Sequence, residues 1–197
     1  MKYFLFCLTF GVASINTAAA ENGFYVGSSL ISGQFSGSQD LDIIAIVPEL
    51  GYTVDLSNSL FLEPSFGFVS LDVPVGTTEE TARASLVSLL LGYKIPNSSD
   101  SLNFAPFVRI IDLNANLPLG SSISFDDEVY DYKMQGFGAG VIIENLFGNS
   151  DNLSLRINFD SLSGTEDGTG YSGSTQTDLG SGNASFQGWS VALNYKF

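Results

Sequence analysis

The 197-residue chain contains no histidine. Ser-His-Asp hydrolysis, imidazole proton shuttles and histidine-ligated metals are therefore closed to it. Its single cysteine, Cys7, lies in the first apolar stretch behind the bulky Phe6, a context that does not suit lipidation. If that stretch is removed, the remaining chain has no disulfide, thiolate nucleophile or cysteine-based metal site. Bases are scarce too: seven Lys and Arg face 21 Asp and Glu, for a formal net charge of −14. That balance argues against nucleic acid as a partner, and it allows attraction to anionic lipid headgroups only where divalent cations bridge them. No glycine-rich phosphate loop of standard spacing occurs, and no carboxylate pair stands out for glycoside chemistry. No cofactor is implied. Beyond the N-terminal segment, no run of about 18 apolar residues exists to form a transmembrane helix. Yet 44% of the residues are hydrophobic, including 16 Phe and 8 Tyr. Apolar side chains in such numbers point to a membrane reached by strands.

The N-terminus reads as an export signal. Lys2 supplies the positive region, Tyr3 to Val12 form an apolar stretch too short to span a bilayer as a helix, and Ala18-Ala19-Ala20 offers a small-residue cleavage site. Cleavage before Glu21 is expected, with residues 1–20 as signal peptide and 21–197 as one domain. The alternative is a retained anchor.

Alternation of apolar and polar residues, bounded by turn residues, places eight strands near 23–33, 40–55, 60–73, 82–95, 102–114, 128–144, 152–163 and 183–197. The links after the second, fourth and sixth are turn-like: Ser57 to Ser59, Pro96 to Asp100, and Leu146 to Asp151. Those after the first, third, fifth and seventh read as mostly longer and rich in Gly, Ser, Thr and acid. Short turns on one side and longer loops on the other fit a closed eight-stranded antiparallel up-and-down transmembrane β-barrel, all-β, with both termini on the short-turn side.

Each strand then sorts its residues by face. The seventh puts Leu153, Leu155, Ile157 and Phe159 toward lipid and Ser154, Arg156, Asn158 and Asp160 inward. The fifth is less regular, because the parity that sends Arg109 inward also sends Phe107 and Ile111 there. Tyr52, Tyr93, Tyr195 and Trp189 fall near strand ends, where an interfacial aromatic girdle belongs. Pro48, Pro64 and Pro106 lie inside strands, where each removes a ladder donor, so bulges or early strand ends are expected there.

Eight strands leave a lumen that side chains fill, or that holds one small ligand. The inward set includes Glu49, Glu63, Lys94, Arg109, Arg156, Asp160 and Lys196. Unpaired charge in that volume costs several kcal/mol, roughly, so Arg109 and Arg156 are expected to pair with Glu49 and Glu63 and plug the barrel. Outside, Asp126, Asp127 and Glu128, with Asp131, form a possible cation-binding loop, and a second acidic loop carries Glu166, Asp167 and Asp178 from about Gly164 to Gly182. The bland explanation of both is a solvated charged surface.

The C-terminal Trp189, Val191, Leu193, Tyr195 and Phe197 alternate with Gly188, Ser190, Ala192, Asn194 and Lys196. This resembles the closing strand of bacterial outer-membrane β-barrels, in which the assembly machinery reads a terminal aromatic, another two residues earlier and a small residue before them. Phe197, Tyr195 and Ala192 occupy those places. Gly23-Phe24-Tyr25-Val26-Gly27 is similar to the opening strand of the small outer-membrane barrels of the OmpA-transmembrane, OmpX and opacity-protein type. The resemblance implies the outer membrane as location, and as partners its lipid, including lipopolysaccharide, with periplasmic chaperones and the barrel assembly machinery during biogenesis. Barrel enzymes of that class lean on a histidine that this chain lacks, so no enzyme is expected. Three readings follow: a structural or surface-interaction protein displaying acidic loops to an external ligand or host surface, a narrow channel or carrier for small or hydrophobic solutes, and a soluble secreted β-sandwich.

Overall fold

In the computed structural model of the chain, residues 23–38, 40–75, 78–95, 102–120, 124–145 and 152–197 are described. The segment expected to be a signal peptide, and the links expected at Pro96 to Asp100 and Leu146 to Asp151, lie outside them. Period-two alternation produces eight strands: β1 (Gly23–Ser36), β2 (Leu41–Asp55), β3 (Leu60–Val75), β4 (Thr78–Tyr93), β5 (Asn103–Gly120), β6 (Asp127–Glu144), β7 (Leu153–Ser172) and β8 (Thr175–Lys196). Each pairs antiparallel with its neighbours in sequence, and β8 pairs with β1 from Tyr25↔Lys196 to Ser36↔Ser185, closing the barrel. Partners followed round the wall from Tyr25 pass through Gly51, Ser65, Ser88, Ile111, Gly136, Leu162 and Phe186, and return to β1 at Phe35. That stagger along β1 tilts every strand against the axis and sets how narrow the interior is. No β-sandwich edge remains, and the sandwich reading ends here.

The faces divide as the alternation requires. Outward positions carry Phe24, Leu50, Phe66, Leu89, Val108, Phe137 (73% exposed) and Trp189 (61%), all exposed on the outer face of the wall. On β4 and the residues just past it, the outward series Val87, Leu89, Leu91, Tyr93, Ile95 is unbroken. It spans about nine residues, the length a tilted strand needs to cross hydrocarbon. Tyr52, Tyr93 and Tyr195 sit at the end that holds both termini, the inner end, and Trp189 marks the other edge of the belt, packed edge-on against Phe159 at 5.0 Å.

The outer end departs from expectation. β7 runs to Ser172 and β8 starts at Thr175, so the segment from Gly164 to Gly182 is paired hairpin, not a loop. Only Gly173-Ser174 connects the strands, with Gly173 at a φ of 57° and its N–H donating to Asp126 Oδ2 at 2.7 Å. β3 ends at Val75 and β4 starts at Thr78, so the expected parity of loop lengths disappears. The reason is geometric: Gly, Ser, Thr and acid residues suit a wall whose outer face meets water, so the strands continue beyond the lipid belt with polar side chains outside.

The three prolines sit inside continuous strands, with neither the bulges nor the early strand ends expected of them, and each keeps an unbroken ladder on one side. The β2–β3 ladder is interrupted between Gly51↔Ser65 and Val54↔Leu62, beside Pro64, and stops at Glu49↔Gly67, one residue short of Pro48. The β4–β5 ladder stops at Gly92↔Phe107, one residue short of Pro106. Each proline therefore loses its donor where a ladder is already open. A consequence is a seam: among the described residues no pairing joins the outer halves of β2 and β3.

Candidate functional site

Inward side chains cluster at successive levels of the lumen. Toward the inner end, Phe61, Leu90, Ala105, Phe107 and Ile142 form a small apolar cluster. In the outer half, Phe35, Leu86, Ile111, Leu113, Tyr132, Met134, Leu162 and Phe186 pack together, with Phe35 5.0 Å from both Tyr132 and Phe186. Between them lie the ions.

Arg156, only 1% exposed, projects from β7 across the axis. Its Nη1 donates to Glu49 Oε2 at 3.2 Å, and its Nη2 donates to Glu63 Oε1 and to the Tyr25 hydroxyl at 3.3 Å. The guanidinium also lies over the rings of Tyr25 (5.5 Å) and Phe107 (5.9 Å). Ser29 Oγ donates to Glu49 Oε1 at 2.5 Å and Thr53 Oγ1 to Glu63 Oε2 at 3.3 Å, so both carboxylates are held from two sides. Tyr25 reaches the axis because Gly51 lies beside it: a Cβ there would stand 2.3 Å from the phenol ring.

A second cluster corrects the expected pairing. Arg109 does not meet Glu49 or Glu63. It grips Asp160 in a fork, Nε to Oδ1 at 3.0 Å and Nη2 to Oδ2 at 2.6 Å. Arg109 is on β5 and Asp160 on β7, and Gly138 of β6 is the cross-strand partner of both, so the missing side chain is what lets them touch. Asn158 Nδ2 donates to Asp160 Oδ2 at 2.7 Å, and Ser190 Oγ donates to Asn158 Oδ1 at 2.9 Å. Lys94 lies at the inner mouth, partly exposed, pairing with Asp55 at 2.9 Å. It belongs to a pocket there bounded by Thr53, Phe61, Glu144 and Lys196, not to the midsection.

Two guanidinium groups thus face three carboxylates, leaving one acid in excess. Desolvating these ions costs several kcal/mol each, roughly, and pairing with additional hydrogen bonds offsets that cost without a large surplus. Asn158 and Ser190 were placed on the polar face from sequence but assigned no partner, and Tyr25, Ser29 and Thr53 were not singled out. Inward parity was the signal that would have found these three, since each sits on the same face as an ionic partner.

The acidic outer segments do not form one site. Asp126, Asp127 and Glu128 are consecutive on nearly extended chain, so neighbours point apart: Asp126 holds the Gly173 turn and Glu128 is buried. Among the described residues no three carboxylates converge to hold a metal ion. Glu166, 1% exposed, lies above the apolar cluster, outside the membrane-crossing part of its strand. Its Oε1 accepts from Ser38 N and its Oε2 has no partner. Burial, with the Glu166 carboxylate nearby, pushes the Tyr132 hydroxyl up to about 12. At the C-terminus, Ala192 is fully buried opposite Arg156, Tyr195 and Phe197 stack edge-on at 5.2 Å, and Phe197 N donates to Phe24 O at 2.8 Å.

Solved structures that share this architecture include proteins of the outer membrane. A major outer membrane protein of Thermus thermophilus superposes with a TM-score of 0.57 at 14% identity, over 90% of this chain and 100% of that one. OprG, an outer membrane protein of Pseudomonas aeruginosa, gives 0.52 at 10%, over 89% and 96%. The chain has the fold of the small outer-membrane β-barrels. Neisserial surface protein A matches as well, with a TM-score of 0.51 at 15% identity over 89% of this chain and 97% of that one. No protein-family model matches this barrel's sequence, and no curated protein sequence does.

Proposed function

We propose that this barrel is a structural and surface-display protein of the outer membrane, with a sealed lumen and an acidic rim outside. The observation that supports a seal is the pair of buried ion clusters, Arg156 with Glu49 and Glu63, and Arg109 with Asp160, stacked under an apolar plug. An ion crossing the lumen would have to break charge-assisted hydrogen bonds in a low-dielectric wall. The outer hairpins of β5 to β8 then present Asp131, Asp167 and Asp178 beyond the lipid belt, and Ala192, Tyr195 and Phe197 serve recognition by the assembly machinery. Planar-bilayer recording tests this reading: the purified barrel should pass no current, and stepwise single-channel conductance would refute it.

The β2–β3 seam favours a second reading, a carrier for hydrophobic solutes. Val47 inside the wall and Ile44, Ile46 and Phe68 outside it flank the unpaired stretch, so the apolar outer lumen adjoins lipid there. Joining Ile46→Cys to Ser70→Cys by a disulfide should abolish entry of a hydrophobic dye into vesicles if solutes leave through the seam. Unchanged uptake would end that reading.

A further inference from the structure

Bases outside residues 1–20 number few enough to follow individually. Arg109 and Arg156 are consumed in the lumen, and Lys94 and Lys196 lie at its inner mouth. The two that face outward are Arg83 on β4 and Lys133 on β6. They lie on one side of the barrel. Arg83 is paired across the ladder with Asn116, Asn116 with Asp131, and Lys133 with Asn114, so both bases flank the same stretch of β5.

Their height matches too. On β4 the last outward apolar residue is Val87, and on β6 it is Phe137; each base stands four residues further out. At about 3.3 Å per residue and a tilt of about 40°, that places both Cα atoms roughly 10 Å above the hydrocarbon edge. Long side chains reach down from there into the headgroup layer.

Among the described residues neither Arg83 nor Lys133 makes an ion pair, although acids stand nearby. Asp131 is engaged by Asn116 Nδ2 at 2.8 Å, and Asp112 by Asn114 Nδ2 and Gln135 Nε2, both at 2.8 Å. These carboxylates keep their charge but take amide donors rather than the two bases, which stand beside a groove, lined also by Asp131, that runs from Phe68 past Ser85 and Asn114 to Lys133. Directly below it, Phe68, Val87, Ile110 and Phe137 form an exposed apolar surface.

We infer that this groove binds the phosphate groups of a phosphorylated glycolipid of the lipid A type, with Arg83 and Lys133 on the phosphates, Asn114 and Asn116 on the sugar, and acyl chains against the apolar surface beneath. A free phosphate would leave that surface unused, and an anion anchored in the same leaflet uses both. The inference rests on the outer-membrane reading above.

The mature barrel refolded in detergent micelles provides the test. Heat-modifiable gel migration comes first, because its loss in the wild type would refute the barrel reading itself, and its retention in R83Q/K133Q shows that the exposed substitutions leave the fold intact. Titration with bis-phosphorylated lipid A, in EDTA so that divalent bridges are absent, then reads the groove. Wild type should bind about tenfold or more tightly than R83Q/K133Q, the difference should shrink at high salt, and dephosphorylated lipid A should bind wild type as weakly as the variant. Equal affinity of wild type and variant for lipid A would overturn the inference. So would displacement of lipid A by millimolar inorganic phosphate, which would assign the groove to a free anion.

Discussion

Gly138→Ala adds one carbon to a wall position that the ion clusters need empty. The new Cβ would stand 2.0 Å from Asp160 Oδ1 and 3.1 Å from Arg109 Cγ. The carboxylate can rotate away, but its fork on Arg109 and its bond from Asn158 are then strained together. Losing a buried pair outright costs about 3 to 5 kcal/mol. If Asp160 keeps one of the two contacts, the expected loss is about 2 to 3 kcal/mol, far above the usual effect of Gly→Ala in a strand, which favours Ala by roughly 0.5 to 1 kcal/mol. Denaturant unfolding in lipid vesicles, followed by fluorescence of the lone Trp189, measures the loss. Repeating the substitution in an Arg109→Met, Asp160→Ala background closes a double-mutant cycle, in which the penalty of Gly138→Ala should mostly vanish. A cost below about 0.5 kcal/mol in the wild-type background, or an equal cost in both backgrounds, would refute the reasoning.

Other substitutions separate the layers. Arg156→Leu leaves Glu49 and Glu63 buried without a cation, and should cost about 3 to 5 kcal/mol or prevent refolding, as read by heat-modifiable mobility. Leu155→Arg, one residue away on the lipid face, should cost about 2 to 4 kcal/mol if it meets the midplane; tolerance at both sites would contradict the face assignment. Glu166→Gln should behave in the opposite way from Glu63→Gln. The former removes a buried charge whose Oε2 lacks a partner and should raise the unfolding midpoint, whereas the latter strips Arg156 of an acceptor and should lower it.

Most of the wall was legible in the sequence because a barrel strand obeys one local rule. Leu153, Leu155, Ile157 and Phe159 face out and Arg156, Asn158 and Asp160 face in because the period is two, whatever the rest of the chain does. Inner strand ends were found within a residue or two, since Ser57 to Ser59 and the aromatic girdle punctuate them. Outer ends were found as closely on β2, β3 and β6 but missed on the other strands, most of all on β7 and β8: the stretch from Gly164 to Gly182 has the composition of a loop, yet pairing across β7 and β8 carries it as strand. Partners within the lumen were harder still. Parity says that Arg109 points inward, but only the register, which sets Gly138 between Arg109 and Asp160, decides whom it meets. The apolar outer cluster went unread for a related reason. Phe35, Met134, Leu162 and Phe186 look like exceptions strand by strand, and form one cluster only when the wall closes.

Quenching of Trp189 by brominated phospholipids addresses the lipid-facing wall directly, because this tryptophan is native, solitary and outward. In vesicles the refolded chain should be quenched strongly by lipids brominated near the headgroup and less by lipids brominated near the bilayer centre, as its place at the outer edge of the belt requires. Emission that is unaffected by bromine at any depth would mean that the exposed apolar face does not meet lipid, and the barrel would not be a membrane wall.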